Sequence, residues 1–181
     1  MKKENFVLEQ KLKRLKISYT NENGKIIIGK SKVDYFTLLG LIILPLISFL
    51  VILYFVINYS FFSGKIITFL FLMGGSFLFY SKRYISKKKN NSALKRLSDN
   101  AIFFEDNTFQ KRFDLNNTRE FKYSMNEISE DTYEGILLLV DTDNNQHKIL
   151  AFDDENEQYL HNDLKWFIDY FSKYIKIKKE V

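Results

Sequence analysis

Two long uncharged stretches constrain this chain of 181 residues more than any other feature. No Asp, Glu, Lys or Arg occurs at residues 35–64 or at residues 66–81. About 20 apolar residues cross the hydrocarbon core of a bilayer, so the first stretch is long enough, and the second is long enough if it begins a few residues earlier. The sequence therefore predicts two membrane-spanning helices at about 36–57 and 62–81.

A turn through Asn58, Tyr59 and Ser60 is expected to join the two spans as an antiparallel hairpin. A soluble protein can bury two helices that are apolar on every side only with far more surrounding chain than this one has. A cleaved signal peptide would begin close to the first residue, whereas 34 mixed polar residues come first here. We therefore interpret the segment at 35–81 as a two-pass anchor.

Basic residues on both sides of the hairpin predict its orientation. The first 34 residues hold nine basic and four acidic groups, and residues 82–96 hold seven basic groups and no acid. The connection between the spans carries only Lys65. Because cytoplasmic flanks of membrane helices are enriched in Lys and Arg, both termini are predicted to lie in the cytoplasm.

The basic cluster that follows the second span is the candidate binding site: Lys82, Arg83, Lys87, Lys88, Lys89, Lys95 and Arg96. Each cation near an anionic leaflet contributes about 1 kcal/mol of attraction, so binding of anionic lipid headgroups is one hypothesis. The plainer interpretation, which we prefer, is that these charges only set the topology. Nucleic acid is not expected as a partner, because residues 97–175 hold 7 basic and 17 acidic groups.

The chain after the membrane segment shows the alternation that is typical of β-strands. Strands are predicted at 101–105, 109–113, 121–125, 133–140 and 146–152. A β-hairpin is also predicted before the membrane segment, where Asn21-Glu-Asn-Gly24 separates two short apolar runs. Because an isolated hairpin is marginally stable in water, we expect it to join the edge of the downstream sheet.

Helices are predicted at the two ends of the chain. The C-terminal helix is expected at 155–175, with Asp154 as its N-cap and Glu157 completing a capping box. Its apolar face is Leu160, Leu164, Phe167, Ile168, Phe171 and Ile175, and its opposite face is Asp163, Lys165, Asp169 and Lys173. A short basic helix at the N-terminus is expected to turn one apolar face inward, made of Phe6, Leu8, Leu12 and Leu15.

The residues that usually carry catalysis or metal binding do not form a recognisable pattern. The chain has no Cys, and His147 and His161 lack metal-ligand spacing and are interpreted as solvated surface residues. Asp141, Asp143 and Asn145 imitate the start of an EF-hand loop, but the required Gly and closing Glu are missing, so a β-turn is predicted. The sequence therefore predicts no enzyme, with no catalytic residue, no metal site and no cofactor.

The order of these elements resembles small bacterial two-pass membrane proteins that carry a cytoplasmic pleckstrin-homology-like (PH-like) domain. The residues that carry the resemblance are Asp99 to Asp106, Tyr133 to Asp141, Lys148 to Asp154 and Asn162 to Tyr174. The resemblance implies a membrane α-helical hairpin plus an α+β domain. That domain would be a PH-like antiparallel β-sandwich or barrel of about seven strands, capped by a C-terminal α-helix.

The predicted organisation has four parts. A cytoplasmic N-terminal segment at 1–34 holds the short helix and the β-hairpin, and the transmembrane hairpin occupies 35–81. A basic juxtamembrane linker at 82–96 leads to the cytoplasmic PH-like β domain with its C-terminal helix at 97–181.

The resemblance transfers no activity. We expect a non-enzymatic protein of the bacterial cytoplasmic (inner) membrane, with both termini in the cytoplasm, whose PH-like domain binds a protein or lipid partner at the membrane surface. Besides the bilayer itself, anionic headgroups, a protein partner and a second copy of the chain remain open as partners. The alternative is a defence or competition protein, either a two-span effector gated by a ligand or an immunity protein for a toxin.

Overall fold

The protein is an α+β structure with two long apolar helices and two antiparallel sheets. The computed structural model describes residues 2–22, 25–60, 62–98, 100–105 and 110–176. The chain divides into two compact units, a helical unit at Val33–Ser86 and a β unit that combines Met1–Lys32 with Lys87–Val181. The segment before the helices thus folds with the domain that follows them.

The helical unit consists of helix α2 (Phe36–Tyr59) and most of helix α3 (Gly64–Asn90). Both helices are long and apolar enough to cross a membrane, as the uncharged stretches predict. Only 17% of the most apolar stretch of α2 is buried, and none of that of α3. α3 continues well past the predicted end at residue 81. The connection lies about two residues later than predicted, because Asn58 and Tyr59 still belong to α2 and α3 begins at Gly64.

The first part of α2 is wider than an α-helix. Residues Phe36–Ile43 form a π-helix, and the Leu44 N–H donates to the carbonyl of Leu39, five residues earlier. The α-helical part begins at Leu44 and has Pro45 in its first turn. Proline lacks an N–H and its ring clashes with the carbonyl four residues before it, so a wider turn at this point accommodates the ring.

α2 and α3 pack closely where a glycine lets them approach. A Cβ atom built on Gly74 would lie 3.3 Å from Cε2 of Phe49, which is tighter than an ordinary contact. A side chain at Gly75 would meet no atom within 4 Å. Of these two neighbouring glycines, Gly74 therefore serves the contact between the helices of this unit.

The β unit holds eight strands within the described residues, where about seven were predicted. They are β1 (Ile17–Glu22), β2 (Lys25–Ser31), β3 (Leu94–Ser98), β4 (Ala101–Glu105), β5 (Gln110–Phe113), β6 (Thr118–Ser129), β7 (Thr132–Asp141) and β8 (Gln146–Asp154). One sheet has the order β1-β2-β3-β4-β5 and the other β6-β7-β8, and all pairs are antiparallel.

The predicted N-terminal hairpin is present as β1 and β2, and it joins the sheet that is formed after the apolar helices. β2 pairs with β3, with Ile26 opposite Leu97 and Ile28 opposite Lys95. Residues 23 and 24 of the predicted turn lie outside the described residues. β3 lies across the end of the predicted linker and was not expected as a strand. One of its two buried positions holds Lys95, so its sequence does not show the apolar alternation of a strand.

Two helices complete the core of the β unit: α1 (Lys2–Arg14) and α4 (Glu157–Ile175). The apolar face predicted for α4 is confirmed, because all of its six residues are buried or packed against the core. In α1 the prediction is right for Leu8, Leu12 and Leu15 but wrong for Phe6, which is 60% exposed.

The start of α4 differs from the prediction by two residues. The N-cap is Asn156, whose side-chain oxygen accepts the backbone N–H of Tyr159 at 3.0 Å. Asp154, the predicted N-cap, ends β8 and accepts the N–H of Asn156 at 2.9 Å. The prediction of a capping box formed by Asp154 and Glu157 is therefore wrong. Asp and Asn both cap helices well. Because β8 continues through Asp154, the cap falls on Asn156.

Candidate functional site

The structure divides the basic cluster between the last turns of α3 and strand β3. Lys82, Lys88 and Lys89 are exposed, and Arg83 and Lys87 are half-buried. The remaining two members, Lys95 and Arg96, lie in β3. The seven charges are therefore not one run of solvated side chains.

The two cations of β3 are held by the protein. Lys95 is completely buried, in register with Ile28 on one side and Phe104 on the other. Arg96 pairs with Glu105, and its guanidinium lies 5.5 Å from the ring of Phe103. A buried lysine and a paired arginine are poor contacts for a headgroup, so the candidate site narrows to the charges on α3.

The last turn of α3 is bound to strands β7 and β8 within the β unit. Lys87 Nζ lies 3.2 Å from Oδ1 of Asp153 in β8. Asn90 donates to Glu134 of β7 at 3.2 Å and accepts a hydrogen bond from Lys148 of β8 at 3.0 Å. These contacts involve four charged side chains and one amide, so polar rather than apolar packing fixes the helix end.

Asn91 makes the most deeply buried of these contacts and is completely inaccessible. Its side-chain amide donates to the carbonyl of Ala151 at 2.7 Å and accepts the N–H of Ala151 at 3.0 Å. Because β8 is the last strand of its sheet, the amide takes the position that a neighbouring strand would have. We call the set Lys87, Asn90 and Asn91 the α3 clamp.

A second polar cluster joins the two sheets at Asp141, the last residue of β7. Oδ2 of Asp141 accepts hydrogen bonds from Lys111 Nζ at 2.9 Å and from Nε2 of His147 at 3.0 Å. Oδ1 accepts the backbone N–H groups of Asp143 at 3.0 Å and of Asn145 at 2.8 Å. Lys111 belongs to β5 and His147 to β8, so this Asp141 hub connects the five-stranded and three-stranded sheets.

The electrostatics of the hub explain how a nearly inaccessible carboxylate is tolerated. The hydrogen bond from Lys111, and then that from His147, hold the pKa of Asp141 well below its usual range, although burial acts against them. The loop closes with a hydrogen bond from the N–H of Asn144 to the carbonyl of Asp141 at 3.0 Å, so the predicted turn is confirmed. The carboxylate is occupied by donors of the protein itself.

The two histidines differ from the prediction of solvated surface residues. The ring of His147 lies 4.6 Å from that of Phe113 and is half-buried in the hub. Nδ1 of His161 lies 2.9 Å from the hydroxyl of Tyr123, which connects α4 to β6. Both rings therefore connect elements of the fold.

One residue of the predicted polar face of α4, Asp163, is buried against α1, whereas Lys165 and Lys173 of that face are exposed. Asp163 is only 5% exposed and accepts hydrogen bonds from Lys11 Nζ, at 2.6 Å, and from Arg14. Two turns further on, the hydroxyl of Tyr170 donates to Asn5 at 3.0 Å, and burial raises the pKa of this hydroxyl. The residues that anchor α1 lie about 150 positions away in sequence, so local periodicity does not reveal them.

No known protein serves as a template for the fold or the site, so both are interpreted from their own geometry. Among the described residues, no group of three His, Asp or Glu side chains comes together to hold a metal ion. No protein-family model, curated protein or solved structure matches the chain.

Proposed function

We propose that this chain is a two-span membrane protein whose β unit is a non-enzymatic binding module at the membrane surface. The observation that carries the proposal is the exposure of α2 and α3. Phe36 is 76% exposed and Phe71 is 78% exposed, each within a helix that has apolar side chains on all sides. A core helix of a soluble protein buries such residues, and soluble proteins rarely expose an apolar surface of this extent.

The pairing of β2 with β3 supports an even number of crossings. β2 ends before α2 begins and β3 starts after α3 ends, yet their residues pair directly, as Ile27 does with Arg96. Two strands of one sheet lie on one side of a bilayer, because lipid-exposed sheet edges do not occur in the hydrocarbon core. The basic flanks then favour the cytoplasmic side for this sheet and for both termini.

A PH-like assignment of the β unit in a bacterial inner-membrane protein is part of the proposal. Support comes from two antiparallel sheets and a C-terminal helix whose apolar face packs on the core. The β unit departs from seven strands and one helix by one extra strand and by α1. A lipid or protein partner would bind to the surface of this module. The choice of partner is therefore argued from surface residues rather than from the fold class.

Anionic lipid headgroups are the partner that the described charges favour. Lys82, Lys88 and Lys89 are exposed on the part of α3 that follows its apolar stretch. Cations at this position would lie at the cytoplasmic headgroups, where each adds about 1 kcal/mol of attraction. The site proposed here is therefore smaller than the seven-residue cluster, since Lys95 is buried and Arg96 is paired.

Cysteine labelling tests the topology directly, because the chain has no native Cys. Ser63→Cys lies between the helices, and Thr142→Cys lies in the exposed turn between β7 and β8. We expect a membrane-impermeant maleimide to label Ser63→Cys in intact cells and Thr142→Cys only after permeabilisation. Equal labelling of the two sites in intact cells would contradict the proposal.

The alternative of a defence or competition protein stays a prediction. Growth arrest when the full chain is overproduced would favour the effector form, and a toxin encoded by the neighbouring gene would favour the immunity form; a binding module requires neither.

A further inference from the structure

A cleft between α2 and α3 combines an apolar wall with a single cation. It has a volume of about 300 Å³ and is lined by Ile52, Phe55 and Val56 of α2 and by Lys65, Ile66 and Phe69 of α3. Five of the six lining residues are apolar, and the sixth is Lys65, which is exposed. The cleft lies wholly within the helical unit, at the end where the two helices are connected.

The cation of this cleft is isolated from any carboxylate of its own unit. Lys65 is the only charged residue between Asp34 and Lys82, and Asp34 is the only acid at positions 33–86. Asp34 accepts a hydrogen bond from Thr37 at the start of α2, whereas the cleft lies beside the end of that helix. The helix between Thr37 and Phe55 separates the two by about 27 Å at a rise of 1.5 Å per residue. An anion for Lys65 must therefore come from outside the unit.

The position of Lys65 within its helix gives no other reason for the charge. It is the second residue of α3, and a cation in the first turn opposes the helix dipole rather than stabilising it. The aliphatic stem of lysine packs on apolar surface while the ammonium reaches a polar layer, as the long side chain allows. At the end of a membrane-spanning hairpin, that polar layer is the headgroup region of the bilayer.

We propose that this cleft is a phospholipid-binding site, in which one acyl chain lies against Ile52, Val56 and Phe69 and the headgroup phosphate pairs with Lys65. The inference rests on the proposed two-span function and extends it from general lipid contact to one retained lipid. The site is distinct from the basic charges on the last turns of α3, because it lies at the opposite end of that helix.

Native mass spectrometry of the full chain tests the site. The chain is purified in a mild detergent and supplied either with phosphatidylglycerol or with a diacylglycerol of the same acyl chains, which lacks the phosphate. We expect one phosphatidylglycerol retained per chain and about fivefold less diacylglycerol, which lacks the anion that pairs with Lys65. In Lys65→Gln the retained fraction should fall about fivefold, the factor expected for one cation near an anionic headgroup. Ile66→Trp should fill the cleft and remove the lipid to a similar extent.

Matched variants separate this site from general lipid contact. Lys165→Gln removes an exposed cation of α4 that has no part in either proposed lipid contact, and Ile67→Trp adds the same bulk at the next position, which does not line the cleft. Both variants should retain the lipid within about twofold of the unmodified chain. Equal retention of diacylglycerol, or equal loss in Lys65→Gln and Lys165→Gln, would overturn the inference.

Alkaline carbonate extraction distinguishes the failure of this site from the failure of the two-span proposal. A chain that leaves the membrane in carbonate contradicts both. A chain that resists carbonate but retains no phosphatidylglycerol overturns the lipid site alone.

Discussion

The helical unit and the β unit use the same apolar side chains in opposite ways. Phe113 and Phe167 of the β unit are completely buried, whereas Phe36 and Phe71 of the helical unit are more than three-quarters exposed. In water both pairs would be driven inward, because burial of apolar surface is the dominant favourable term in folding. This difference is what the two-span proposal expects, with the β unit in water and the helical unit in hydrocarbon.

The first prediction tests whether the β unit is stabilised by rings buried away from water. It has the largest expected effect. Phe167→Ala removes a completely buried ring that packs against Phe152 and Phe171. We expect the free energy of unfolding to fall by about 3–5 kcal/mol, as for other buried aromatic truncations. Trp166 is the only tryptophan, so its fluorescence during urea titration of the full chain in micelles reports this unit.

Phe71→Ala is the matched control for Phe167→Ala. It makes the same truncation at an exposed position of the other unit, and we expect it to leave the urea midpoint reported by Trp166 unchanged. An equal loss in both variants would contradict the division into two differently solvated units.

The second prediction places a charge on the exposed face of α3. Phe71→Arg should oppose membrane insertion by about 2.5–3.5 kcal/mol, because a charge near the centre of a spanning helix is transferred into hydrocarbon. If water solvated this face, the same substitution would instead improve solubility. The fraction of chain that resists alkaline carbonate measures the effect. Phe6→Arg is the control, since Phe6 is exposed in the β unit and its change should not alter the resistant fraction.

The third prediction concerns the α3 clamp. Asn91→Ala leaves the N–H and carbonyl of Ala151 without the amide that pairs with both, and unsatisfied buried groups cost about 1–3 kcal/mol. We therefore expect a lower urea midpoint in the Trp166 assay. Asn90→Ala, which breaks partly exposed contacts to Glu134 and Lys148, should have the smaller effect. The reverse order would contradict the role given to Asn91.

The fourth prediction concerns the pH dependence of the stability of the fold. It has the smallest expected effect at neutral pH. The pKa of Asp141 is lowered in the folded state, chiefly by Lys111, from an ordinary value of 3.8. The stabilisation from this carboxylate is therefore present above that value and is lost as the pH falls through the folded pKa. In Lys111→Gln the folded pKa should rise towards the ordinary value, so this carboxylate should stabilise the fold less at neutral pH and its contribution should be fully lost at a higher pH.

Acid titration followed by Trp166 fluorescence measures this shift. The matched control is Lys122→Gln, which removes an exposed lysine paired with Glu120 rather than with the hub. An acid transition that moves equally in Lys111→Gln and Lys122→Gln would show that the hub has no special part in it.

Those features of the fold that depend on short-range pattern could be predicted from the sequence. The uncharged runs predict α2 and α3, and the 3.6-residue period predicts the buried face of α4, because both signals lie within one element. β3 could not be predicted, since one of its two inward positions holds Lys95 rather than an apolar residue. The burial of Asp163 was missed because it depends on Lys11 and Arg14, which α1 brings to it from the other end of the chain.

The candidate site shows the same limit. The basic run marked the end of α3 correctly as a concentration of charge, but sequence alone could not separate the exposed Lys88 and Lys89 from Lys87, which pairs with Asp153. Asn91 gives no signal in the sequence, because an asparagine after a helix is an ordinary helix end. Its role appears only when β8 lies beside it.

The most direct test of the two-solvent account compares spin labels at two exposed phenylalanines, Phe71→Cys in α3 and Phe6→Cys in α1, in the reconstituted full chain. The account predicts that the label at position 71 collides mainly with oxygen, which concentrates in hydrocarbon. The label at position 6 should collide mainly with a water-soluble nickel complex. Equal access of the nickel complex to both labels would contradict it.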